Sequence, residues 1–102
     1  EARLQLIEKC KELAGFLKNL SHPERLAILC YLSVRPHTVT ELVQLLNISQ
    51  SATSQFLNRM RSEKLIDVKR EKGFSFYRLG DEKLIKLMKA FEKIFCENGV
   101  KQ

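Results

Sequence analysis

The sequence predicts a mainly α-helical domain, five helices with one β-hairpin, on three observations. Apolar residues recur at three- and four-residue intervals at both ends and through the middle of the chain. Two of these helical stretches meet at Asn47-Ile48-Ser49, a short turn that ends in a capping residue. From Leu65 to Leu79 the pattern changes to alternation with period two, interrupted by Glu71-Lys72-Gly73.

Composition narrows the class. The 102 residues suit one domain spanning 1–102, with a small core. A net charge of +6 and an isoelectric point near 9.4 favour a polyanionic partner. No apolar run approaches the roughly 20 residues of a membrane-spanning helix. No signal-peptide pattern stands at the start, so no membrane partner is expected. The chain begins at Glu1 rather than Met, and a few residues are expected to precede it. Its three cysteines are odd in number and widely spaced, which favours a reducing cytoplasm over a secreted disulfide scaffold. No Ser/His/Asp set, paired acids, Gly-rich phosphate loop or cofactor fingerprint stands out, so neither an enzyme nor a cofactor is expected.

The first helix is expected from Ala2 to Asn19. Leu4, Ile7, Leu13, Phe16, Leu17 and Leu20 form its apolar stripe, widened by Leu6, Cys10 and Ala14. That arc exceeds what one small core needs and points to a second chain. Ser21-His22-Pro23-Glu24 opens the second helix, with Ser21 as N-cap and Glu24 completing a capping box. Pro23 is tolerated in a first turn, and the helix ends before Pro36. His22, and His37 in the following turn, read as solvated surface residues rather than ligands.

Thr40 is the expected N-cap of the third helix, where Leu42, Val43, Leu45 and Leu46 form one apolar face. Asn47 leaves that helix in a left-handed turn, Ile48 plugs the corner, and Ser49 caps the fourth helix. There Ala52, Phe56, Leu57 and Met60 are apolar at helical spacing. The opposite face holds Gln50, Ser51, Thr53, Ser54, Gln55 and Asn58, followed by Arg59 and Arg61. Neutral donors and acceptors at one end and cations at the other are what a helix in the major groove needs. The other reading is a solvated face on an ordinary helical hairpin.

Leu65–Arg70 and Phe74–Leu79 read as two strands, with Lys69, Arg70, Lys72 and Arg78 along them. Behind a recognition helix such a hairpin is a DNA-contacting wing; otherwise its charges only solvate it. The coincidence of helix-turn-helix, wing and positive charge favours DNA. Gly80-Asp81-Glu82 opens the last helix, whose first-turn acids suit the helix dipole. Leu84, Ile85, Leu87, Met88, Phe91, Ile94 and Phe95 give it a wide apolar surface up to Cys96. The two terminal helices are therefore the expected homodimer interface, and two half-sites would add affinity.

Leu20 to Leu29, Thr40 to Gln55 and Phe76-Tyr77-Arg78-Leu79 together resemble the ArsR/SmtB family of bacterial transcriptional repressors, over nearly the whole chain. The resemblance implies a winged helix-turn-helix that binds a double-stranded DNA operator as a homodimer. Phe56 departs from the family pattern, which often has His after Ser-Gln. Family metal sites use several Cys in the first helix of the helix-turn-helix, or Asp and His from the last helices. Here Glu41–Leu46 has no Cys and Asp81–Cys96 has no His, so no metal is expected.

The positions of Cys30 and Cys96 resemble those of the dithiol in the persulfide-responsive branch, the BigR, SqrR and HlyU-like repressors. That likeness implies sensing thiols and an inducer that is a small persulfide or another reactive sulfur species. Other readings stay open: a plain disulfide formed by peroxide, a regulator without a sensor that displaces another protein, or a winged helix serving as a protein-interaction module. Buried cysteines are also common simply as small hydrophobes. Cys10 matches no sensing motif and is expected in the core or an interface. Cys96, at a helix C-terminus, faces an unfavourable dipole and is expected second in line for attack.

Overall fold

The computed structural model describes residues 2–96. The helices are α1 (Ala2–Asn19), α2 (Pro23–Val34), α3 (Val39–Leu46), α4 (Gln50–Ser62) and α5 (Glu82–Phe95). Strands β1 (Ile66–Glu71) and β2 (Phe74–Leu79) lie between α4 and α5. Five helices and one antiparallel hairpin are thus the architecture that the apolar periodicity predicts.

The core gathers Ile28, Leu29 and Leu32 of α2, Leu42 of α3, Leu57 and Met60 of α4, and Leu84 and Met88 of α5. Leu20, Leu65, Ile66 and Leu79 close it. Helix α1 buries none of its residues, and only Phe16 on it packs against this cluster. Leu4 remains 64% exposed at one end of the chain and Phe95 79% exposed near the other.

Two helix starts differ from expectation. The Ser21 hydroxyl donates to the Lys18 carbonyl at 2.8 Å, closing α1 instead of capping α2. His22 takes the N-cap position without a side-chain bond, and Pro23 is the first helical residue. Helix α3 is capped by Thr38, not Thr40. The Glu41 amide donates to Thr38 Oγ1 at 3.2 Å, and the Thr38 amide donates to Glu41 Oε1 at 2.9 Å. The later turn is as expected: Asn47 is left-handed at φ 54°, and Ser49 accepts from the Ala52 amide at 3.0 Å.

Helix α4 ends in a Schellman turn, with Leu65 N–H on the Met60 carbonyl and Lys64 N–H on that of Arg61. Lys64 occupies the left-handed position at φ 63°. The chain then enters a hairpin in register Ile66↔Leu79 through Glu71↔Phe74. Glu71 is paired, so the turn is only Lys72-Gly73, at φ 51° and 84°, the left-handed pair of a type I′ turn.

His37 is not a surface residue. It is 0% exposed, its amide donates to the Tyr77 carbonyl at 3.0 Å, and its own carbonyl accepts from the Tyr77 amide at 2.7 Å. The loop before α3 is thereby stitched to the hairpin. His37 Nδ1 lies 2.7 Å from the Arg35 carbonyl oxygen.

Candidate nucleic-acid interface and thiol pocket

Helix α4 turns Leu57 and Met60 into the core and leaves Gln50, Ser51, Gln55, Asn58, Arg59 and Arg61 exposed. Ser54 is half-buried at the edge of that face. Thr53, expected among the base-reading residues, is 0% exposed, and its hydroxyl donates to the Ser49 carbonyl at 2.9 Å. It falls on the Thr53-Leu57-Met60 stripe, spaced four and three residues apart, so it faces inward. Phe56 packs against the core and meets the His22 ring at 5.1 Å between centroids, a packing role.

Lys69, Arg70 and Lys72 project from the hairpin as exposed cations. Arg70 donates across it to Ser75 Oγ at 3.1 Å. Arg78 is committed to Asp67 at 2.6 Å. That pair is exposed, so it is cheap to open toward a phosphate. The outward face of the hairpin also carries a feature missed in the sequence. Phe74, 62% exposed, and Phe76 stack obliquely at 6.4 Å beside Pro36. With Lys69, Lys72 and Arg78 they line a groove of about 470 Å³. Its signal was the identical parity of Phe74 and Phe76: Leu79 has the opposite parity and is buried, so the two rings must face away from the core.

Cys30 on α2 and Cys96, the residue that closes α5, line one pocket of about 370 Å³. Leu26, Met88, Phe91 and Phe95 supply most of its walls, with Leu17 and Leu20 from the α1 end. Both thiols are free and half-buried; Cys10 is free and exposed on α1. Burial pushes the Cys30 thiol above its ordinary range, and the charges of Cys96 and then Glu92 push it further. A raised thiol holds less thiolate at neutral pH, so the helix-dipole argument that put Cys30 ahead of Cys96 for first attack loses its force. Among the described residues, no three His, Cys, Asp or Glu side chains come together as a metal site. No described helix is long and apolar enough to cross a membrane.

Similarity to known proteins agrees with this geometry. Residues 22–68 match the model of the bacterial regulatory protein, arsR family. The HTH-type transcriptional regulator YgaV of Escherichia coli K12 is 40% identical over 93 residues, covering 90% of this chain and 94% of the relative. The biofilm growth-associated repressor of Agrobacterium fabrum is 39% identical over 97 residues, covering 94% and 83%. The crystal structure of the transcriptional repressor BigR from Xylella fastidiosa superposes with a TM-score of 0.87 at 34% identity, covering 98% of this chain and 99% of that one. These relatives are named as regulators, in line with the expectation that the chain is no enzyme. The helix-turn-helix, the hairpin behind it and these likenesses establish that the chain belongs to the arsR family of bacterial regulatory proteins.

Proposed function

We propose that the chain is a homodimeric transcriptional repressor whose affinity for its DNA operator falls when Cys30 and Cys96 are joined through added sulfur. The observation that carries the reading is the shared pocket: two free thiols from distant parts of the sequence line one cavity between α2 and α5. Helix α2 packs on α3, β2 and α5, so a link that clamps α5 to α2 acts on the helix that supports the DNA-reading unit.

The chemistry balances without an outside oxidant. Each thiolate attacks the outer sulfur of a persulfide RSSH, gaining that sulfur and releasing RSH. The outer sulfur of one protein persulfide then attacks the inner sulfur of the other and expels hydrosulfide. Two persulfides are consumed; a three-sulfur bridge, two thiols and one hydrogen sulfide result. A direct disulfide requires Cα atoms about 4.4–6.8 Å apart; where packed helices hold two cysteines farther apart than that, it forms only if the helices bend. An added sulfur relaxes that limit, which is the basis for preferring persulfide over peroxide.

On DNA, Gln50, Ser51, Ser54 and Gln55 are assigned to base edges, and Arg59, Arg61, Lys69, Arg70, Lys72 and Arg78 to phosphates or the minor groove, with Phe74 beside them at the wing tip. The dimer then spans half-sites about 34–36 Å apart. The test is intact mass and peptide mapping after persulfide treatment, alongside an operator titration. Cys30→Ser and Cys96→Ser should each bind operator and lose the response; Cys10→Ser should respond normally. Release of the Cys30→Ser protein from DNA as readily as wild type ends the sensing reading. A peroxide-formed disulfide that releases DNA equally well keeps the switch and removes its selectivity.

A further inference from the structure

The walls of the thiol pocket carry more chemistry than the two sulfurs. They are mostly aliphatic and aromatic; among the described residues that line the cavity Glu92 is the one that carries a charge, and the hydroxyl of Ser33 already donates to the Cys30 carbonyl at 2.6 Å. It sits one helical turn before Cys96, whose amide donates to the Glu92 carbonyl at 2.9 Å. A reagent must therefore shed water against Leu26, Met88 and Phe91, and do so beside a carboxylate. An anionic sulfur donor meets both penalties: its own charge is desolvated without a partner, and it is repelled by Glu92. An uncharged one meets neither and gains apolar contact.

We propose that this pocket selects uncharged, apolar polysulfanes, of the dialkyl trisulfide type, over anionic sulfur donors such as peptide-thiol polysulfanes and inorganic hydrodisulfide. The inference rests on the thiol-switch reading above and adds the class of inducer. The reaction closes by itself. One thiolate attacks the central sulfur of RS–S–SR, forming protein–S–S–SR and releasing RS⁻. The second thiolate attacks that same sulfur, releases the other RS⁻ and leaves Cys30–S–S–S–Cys96. The two thiols lose two electrons, the trisulfide takes them up as two alkanethiolates, and the two thiol protons end on those products or in solvent. The charge of Glu92 near Cys30 also raises that thiol. The carboxylate thereby slows every reagent alike through the thiolate fraction, and anions additionally through repulsion.

The experiment compares diisobutyl trisulfide with bis(carboxymethyl) trisulfide, which share the reactive core and are close in size but differ in charge. The rate of bridge formation is followed by intact mass on the full chain, and each rate is divided by that of the same reagent with a small neutral thiol. The neutral reagent is expected to lead by tenfold or more. Because both reagents see the same thiolate fraction, their ratio isolates the pocket from the pKa of either cysteine. Glu92→Gln, which keeps the size of the side chain, should narrow the ratio at least threefold. Normalised rates that are equal in the wild type, or a ratio unmoved by Glu92→Gln, overturn the inference and leave the switch standing. Absence of any Cys30–Cys96 bridge with either reagent removes both.

Discussion

Thr53 and Gln55 lie two residues apart on α4 and part company in the fold. Thr53 points into the core and bonds back to Ser49; Gln55 stands in solvent on the reading face. Thr53→Val keeps the shape and deletes the hydroxyl, while the Ser49 carbonyl still accepts from the Thr53 amide at 3.0 Å. We expect a loss of about 0.5–1.5 kcal/mol in urea unfolding with no change in sequence preference. Gln55→Ala should do the reverse, shifting stability by less than about 0.5 kcal/mol and relaxing discrimination at one base pair by ~1–3 kcal/mol. Titration of both variants against single-base operator changes checks the pair. Equal loss on specific and random DNA for Gln55→Ala would reject its assignment. At this scale the sequence was legible wherever spacing decides the side. The Thr53-Leu57-Met60 stripe was present in the sequence, but a hydroxyl at its head reads as polar surface until its bonding partner is seen. His37 was not legible at all, because its burial comes from pairing with Tyr77, forty residues away.

Elements were read more reliably than their ends. The Ser/Thr-x-x-Glu pattern occurs both at Ser21–Glu24 and at Thr38–Glu41, and only the second forms a capping box. Ser21 follows directly on α1 and is used by the Lys18 carbonyl, a competition that pattern alone does not resolve. In the working box, the Thr38 amide holds the Glu41 carboxyl below the ordinary glutamate range, aided by a bond from Arg35. The folded value is depressed, so the charge stabilises the fold above the unfolded pKa of about 4.3. That contribution is lost as pH falls through the lower folded value. Glu41→Gln should therefore be less stable than wild type near neutrality, and the gap should close in the acid range below about pH 4.3. Urea unfolding of both proteins at stepped pH measures it. A gap that stays constant from neutral pH into acid would mean that Glu41 acts only as a neutral acceptor.

On the scale of the whole molecule, the chain measures 50 × 31 × 23 Å, an elongated shape for its length. Helix α1 is about 27 Å long at 1.5 Å per residue, and no residue on it is buried. Leu4, Leu6, Ile7, Leu13 and Leu17 of α1 and Ile94 and Phe95 of α5 stay exposed, and Lys83 reaches from α5 to Glu12 of α1 at 2.8 Å. Apolar surface left on two helices that share an ion pair is the mark of an unfilled contact, and a second copy fills it in the reading proposed above. Phe91 is a poor probe of this contact because it packs on its own core and lines the thiol pocket. Leu13 and Ile94 avoid both problems. Leu13→Glu and Ile94→Glu should each keep the helical circular dichroism spectrum and weaken association by about 2 kcal/mol or more, since each charge would be buried at the contact. Sedimentation over a micromolar range should show the variants shifting to monomer while wild type stays dimeric. Operator affinity should fall with association, because one half-site alone forfeits the roughly 10²-fold or greater gain of binding both together. A wild-type protein that sediments as a monomer at micromolar concentration, or variants that lose dimerisation yet keep full operator affinity, would show that the exposed faces of α1 and α5 serve something other than a second copy.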